Sequence, residues 1–160
     1  MLKNKQTFNL PTARLSYNPV KDISKIEEQY VYKDTERNAK IVIEIGFDFD
    51  LSSIPRLFWK IIGPYELSVE APLIHDFMYL SRGGRRSDWP HGTPILGKIE
   101  PNTCLYSRRD ADELFLTMMR QAGVRSWRRF LRYRAVRIFG WLFWKPDEEG
   151  GQSNQPGGTD

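Results

Sequence analysis

His75, Asp76 and Tyr79 stand close together in the stretch Glu70-Ala71-Pro72-Leu73-Ile74-His75-Asp76-Phe77-Met78-Tyr79. On a helix, His75 and Tyr79 are four apart and share a face, and Asp76 lies three before Tyr79. A histidine, a carboxylate and a phenol then line one flank. An imidazole half out of water has a tunable pKa and can take a proton from a water or a hydroxyl. A carboxylate behind it orients the ring and stabilises its charged form. Two carboxylates can instead hold a divalent cation through oxygen ligands. Asp50, Ser53 and Asp112 are the residues elsewhere in the chain with the right chemistry to join them. On the catalytic reading His75 is general base to a water or to Ser53. Asp112 or Asp50 orients it, and Asp76 with Asp50 is the candidate cation pair. On the structural reading the same side chains satisfy backbone groups and fasten a loop to a helix. Both readings stay open on these residues.

The elements that must position them follow from periodicity and caps. Leu73, Ile74, Phe77, Met78 and Leu80 give the His75 segment a broad apolar side, Pro72 suits its first turn, and Ser68 is the expected N-cap. Ser107 and Asp110 approximate a capping box for a second helix. Ala111, Leu114, Phe115, Met118, Met119 and Ala122 form its apolar stripe, and Gly123 ends it. Asp112 sits beside that stripe, with Arg108 or Arg109 as the ordinary ion-pair partner. A third helix is predicted from a Ser126 cap to about Trp144. Trp127, Leu131, Ala135, Ile138 and Leu142 are expected to face the core, and Arg125, Arg128, Arg129 and Arg132 to form a separate basic stripe.

Upstream, Arg14–Tyr17 reads as a short strand ended by Asn18-Pro19. Gln29–Lys33 and Ala39–Ile45 read as a hairpin around the polar turn 34–38. Ile41, Ile43 and Ile45 alternate with Lys40, Val42 and Glu44, which predicts a strand half exposed to water. Phe47–Arg56 is an acid- and serine-rich loop that brings Asp50 and Ser53 towards the helices. Leu57–Ile62 is a short aromatic turn or helix around Trp59. Residues 81–101, with Gly83-Gly84, Trp89-Pro90 and a solvated His91, are expected to form a long irregular loop, a candidate lid. The fold class expected is α+β: a small N-terminal antiparallel sheet or hairpin packed on three helices. Residues 1–145 form one domain and 146–160 a disordered tail.

The chain has 160 residues and a formal charge of +4, unevenly spread. Residues 1–50 hold eight basic and eight acidic side chains, whereas residues 107–145 hold ten basic and three acidic. The C-terminal surplus suggests an anionic partner, a nucleic acid or a membrane surface, met through Arg125, Arg128, Arg129 and Arg132. Arginine stems can equally cover a core. Cys104 is the only cysteine, which excludes an intrachain disulfide and the usual Cys/His zinc spacings. The sequence contains no apolar run of membrane-spanning length, and secretion by a signal peptide is not expected.

Four separated clusters carry a resemblance. They are Gly46-Phe47 with Asp50-Leu51 and Ser53-Ile54-Pro55-Arg56; Trp59; Ala71 with Ile74-His75-Asp76 and Tyr79; and Ser107-Arg108 with Ala111-Asp112 and Phe115. With Gly123 and the Trp127–Gly140 helix, this pattern resembles the phage and prophage family labelled domain of unknown function 1353, over residues 40–141. The resemblance implies a tailed-phage or prophage origin and little about activity. The chain departs from it at Phe49, where a threonine is common, and at Pro72, where a small residue is common. Locally, His75-Asp76-x-x-Tyr79 is similar to the His-Asp-x-Cys-Tyr helix of secreted phospholipases. That likeness implies a water-activating histidine, a calcium-holding aspartate, and a tyrosine anchoring a second aspartate, for which Asp112 is the candidate. The glycine-rich calcium loop and the neighbouring cysteines of those enzymes are absent.

The function expected is a phage morphogenesis or virion-associated component with a His/Asp/Ser polar cluster. The alternative is a small hydrolase based on His75, with a divalent cation as candidate cofactor. An anti-defence or host-takeover protein that binds a host factor is a third option. A phage or host protein is the expected partner, in the host cytoplasm or the virion.

Overall fold

The computed structural model describes residues 10–21, 23–49, 69–89 and 92–144. Ten elements are described: β1 (Leu15–Asn18), β2 (Ile23–Ile26), β3 (Tyr30–Asp34), β4 (Ala39–Ile43), β5 (Asp48–Phe49), α1 (Glu70–Leu80), β6 (Gly97–Glu100), α2 (Arg108–Gln121), α3 (Ser126–Phe139) and a 3-10 turn, Gly140–Leu142. The class is α+β, with two small antiparallel sheets and three helices. Strand order is β1-β2-β5 in one sheet and β3-β4-β6 in the other.

The predicted hairpin is present, with Tyr30 opposite Ile43 and Tyr32 opposite Ile41. Its turn is fixed by Asp34, whose Oδ1 accepts from the backbone N–H groups of Glu36 and Arg37 at 3.1 and 3.3 Å, while Asn38 takes a positive φ of 49°. Two details differ from the expected strand. Val42 is buried, not half in water, and Ile45 is exposed because β4 ends at Ile43 and residues 45–46 turn. β6 lies inside the stretch read as a long loop. It pairs with β4, setting Ile99 against Ile41 and Gly97 against Ile43. A Cβ at Gly97 would fall 2.5 Å from the Phe77 ring and 2.7 Å from the Val42 carbonyl oxygen, so only glycine lets this strand close on the sheet and α1 together.

The core joins both sheets to the helices through Ile26, Ile41, Ile43, Phe77, Phe115 and Met118. Phe47 meets Phe77 edge to face at 6.1 Å. α1 packs on α2, and α2 on α3. The α2 start is the capping box expected: the Ser107 side chain accepts from the Asp110 N–H, and Asp110 Oδ2 accepts from the Ser107 N–H at 2.8 Å. Its end is a Schellman turn on Gly123 (φ 73°), with the Gly123 and Val124 N–H groups donating to the Arg120 and Met119 carbonyls.

α3 starts differently from expectation. Arg125, not Ser126, is its N-cap residue, and no side chain caps it. Arg129 instead pins the α2–α3 turn by donating to the Val124 carbonyl at 2.7 Å and to Ser126 Oγ at 3.1 Å. Most of its expected inner face lies outside: Trp127, Leu131, Ile138 and Leu142 are exposed, and of that set Ala135 alone is buried as expected, whereas Arg132 of the expected basic stripe is 3% exposed. The α1 N-cap residue is Val69, without a side-chain cap bond. Ser68, Asp50, Ser53, the Trp59 segment, His91 and the C-terminal tail lie outside the described residues.

Candidate functional site

α1 has buried Ala71, Leu73, Ile74, Phe77 and Met78, which anchor it and leave His75 and Tyr79 on the flank towards α2. There the two rings lie 4.3 Å apart, and the His75 ring also packs at 4.8 Å on Phe115 of α2. Asp112 comes from the first part of α2, one residue after Ala111 of the apolar stripe. Its side chain is wholly buried, and a buried carboxylate needs donors.

It has three. His75 Nε2 lies 3.0 Å from Asp112 Oδ1, and the Tyr79 hydroxyl donates to the same oxygen at 2.7 Å. Arg137, from α3, donates through Nη1 to Oδ2 at 2.8 Å. Arg108 closes the back of the cluster, its Nη1 donating to the Arg137 carbonyl at 3.2 Å. Three helices thus meet at one carboxylate. The Tyr79 ring is held from the far side by Trp144, edge to face at 5.1 Å. Gly140 fits between: a Cβ there would collide with the Tyr79 hydroxyl and lie 3.3 Å from Arg108 Nη1.

The electrostatics follow from this geometry. Burial pushes the Asp112 carboxyl up, but hydrogen bonds from His75 and Tyr79, the charge of His75 and the Arg137 contact outweigh it and hold it below its ordinary value. Burial raises the Tyr79 phenol, and its hydrogen bond to ionised Asp112 raises it further, so Tyr79 stays a neutral donor. An ionised carboxylate can only accept. The proton between His75 and Asp112 therefore sits on Nε2, and a neutral ring carries its lone pair on Nδ1. His75 itself is 11% exposed, between core and solvent.

Of the residues singled out in the sequence, the structure brings His75, Tyr79 and Asp112 into direct contact. Asp76 is half-buried on α1 next to His75. Asp50 and Ser53 are outside the described residues, and among those described no three His, Cys, Asp or Glu side chains converge as a metal cluster. The ordinary partners foreseen for Asp112 are otherwise engaged: Arg109 pairs with Glu113 at 2.8 Å on the surface, and Arg108 serves the Arg137 backbone. Arg137 was not foreseen. Its role follows from the burial of the Asp112 carboxylate, which the sequence does not show. The arginine stripe divides: Arg125 is exposed, Arg128 and Arg129 are half-buried, and Arg132 is buried.

A family model described as Protein of unknown function (DUF1353) matches residues 24–136, a span that includes His75, Tyr79 and Asp112. No curated protein and no solved structure matches the chain.

Proposed function

This chain belongs to that family, whose description names no activity, and we propose that it is a small hydrolase with His75 as general base. The observation that carries this reading is the 3.0 Å contact between His75 Nε2 and Asp112 Oδ1. It makes Nδ1 the basic atom. When Nδ1 takes a proton from a water, or from the Ser53 hydroxyl, the imidazolium forms beside a carboxylate that is already ionised, which stabilises it. Tyr79 and Arg137 keep that carboxylate from turning, and Phe115 packs against the imidazole ring. The likeness of the His-Asp-x-x-Tyr helix to secreted phospholipases supports the same assignment, with Asp112 as second aspartate. A divalent cation on Asp76 and Asp50 belongs to the proposal; it would supply positive charge opposite a developing oxyanion. A phage or prophage origin, and a place in the host cytoplasm or virion, rest on the sequence pattern.

The second reading is a morphogenesis or virion-associated protein in which the cluster is a lock. It is favoured by the Arg137–Asp112 pair, which ties α3 to α2 without any need for chemistry. On that reading a phage or host protein, or an anionic partner of the arginine-rich helix, is the binding target.

The test is His75→Gln, which keeps a donor for Asp112 and removes the base. Hydrolysis of a panel of carboxylic and phosphoric esters is measured with calcium, with magnesium and with a chelator. The wild-type chain should turn over at least one ester class, and His75→Gln should lower that rate roughly a hundredfold or more with an unchanged melting temperature. No turnover across the panel, or a rate that survives the substitution, defeats the hydrolase. A stability loss of about 1–3 kcal/mol in the variant is the result the lock predicts.

A further inference from the structure

We infer that the outer face of α3 and its 3-10 extension docks on an anionic lipid bilayer, lying in the interface rather than crossing it. Trp127, Phe130, Leu131, Ile138, Trp141 and Leu142 form this face, with Phe130 61% and Trp141 63% exposed. Trp127, Leu131, Arg134 and Ile138 are spaced by four, three and four, so they make one stripe along three turns. The helix cannot roll to bury this stripe, because Arg132 and Ala135 already enter the interior and Arg137 is bonded to Asp112. A contiguous run of large apolar side chains in water marks an interaction surface, unlike scattered single ones.

Charge selects what covers it. From Leu114 to Pro146 the sequence has eight arginines and lysines and no aspartate or glutamate. Arg134 lies within the apolar stripe, its guanidinium 5.9 Å from the Phe130 ring centre, and Arg128 stands 5.0 Å from that of Trp127. An anionic bilayer meets both demands. Its acyl boundary takes the aliphatic and aromatic groups, and its phosphates take arginines that extend past them. Trp127 and Trp141 mark the two ends of the face, and indole rings favour the headgroup level. A second copy would lay Arg134 against its own counterpart with no carboxylate to neutralise either. Nucleic acid would leave Leu131, Ile138 and Leu142 without a base to stack or bond. Among the described residues no helix is long and apolar enough to cross a membrane. The inference does not rest on the hydrolytic reading.

The experiment is sedimentation of the full chain with vesicles of phosphatidylcholine, and of phosphatidylcholine and phosphatidylglycerol in equal parts, alongside tryptophan fluorescence. The chain should partition onto the anionic vesicles with a blue shift, and far less onto the neutral ones. Trp127→Ser with Ile138→Ser should weaken partitioning roughly tenfold or more, and Arg134→Gln about fivefold. All three positions are exposed, so circular dichroism and the melting temperature should be unchanged. Several outcomes overturn the inference: no binding to anionic vesicles, binding that the double variant leaves intact, or a wild-type dimer that the double variant dissociates. Equal binding to both vesicle types would overturn it as well, because charge would then select nothing. Ester hydrolysis by the double variant in solution should equal that of the wild type, which separates this result from the fate of His75.

Discussion

His75 and Tyr79, one turn apart on α1, bond to the same oxygen of Asp112, at 3.0 and 2.7 Å. One carboxylate oxygen thus fixes the rotation of α1 against α2, and Arg137 on the other oxygen fixes α3. The phenol is the member that can be removed most cleanly. Tyr79→Phe keeps the ring contacts with His75 and Trp144 and deletes only the hydroxyl. It should cost about 1.5–3 kcal/mol in chemical denaturation, the usual worth of a hydrogen bond to a charged group. A loss near zero would mean that Asp112 finds another donor.

The acid limb of stability follows from Asp112. Its carboxyl ionises below its ordinary value in the folded chain. Its contribution is therefore complete above the unfolded pKa of about 4 and is lost as pH falls through the lower, folded pKa. Arg137→Gln removes one of the groups that lower it, so the folded pKa rises towards the unfolded one. The unfolding midpoint of the variant should fall more at pH 7 than at pH 2, compressing the difference between the two. Denaturation curves from pH 2 to pH 7 check this; an equal drop at both ends would mean that Arg137 acts by packing alone.

Phe115 is 2% exposed in the middle of the α2 stripe and carries the His75 ring. Phe115→Ala should cost roughly 3–5 kcal/mol. A measured loss below about 1 kcal/mol would place the ring outside the core.

The helices that carry the site were legible because their punctuation is local. Pro72, the Ser107–Asp110 box and Gly123 each act within a few residues, and the apolar stripes of α1 and α2 each leave one choice of inward face. α3 was not so constrained. It carries an apolar stripe and an arginine stripe at the same helical period, and hydrophobicity alone turns the first one inward. What decides its orientation is long-range: the need of Asp112 for Arg137, and the close approach that Gly140 permits beside Tyr79. β6 was hidden for a similar reason. Gly97, Lys98, Ile99 and Glu100 offer one large apolar side chain, and its strand identity comes from the partner, β4. β2 and β5 are too short to give a period. The contact of His75 with Asp112 was foreseeable from residue type, whereas Arg137 becomes visible only once the carboxylate is seen to be buried.

The late arrival of β6 has a bearing on how the chain can be cut. β4 is the middle strand of its sheet, but one of its two neighbours lies beyond α1 in the sequence. A fragment ending before Glu70 would carry β4 with the hydrogen-bonding row opposite Gly97–Glu100 left bare, and with Ile41 and Ile43 uncovered by Ile99 and Phe77. Such an edge invites pairing with another chain. The amino-terminal strands are therefore no portable module. During synthesis they must wait for residue 100 to emerge before the sheet is complete, and the interval until then is when the nascent chain is most open to self-association.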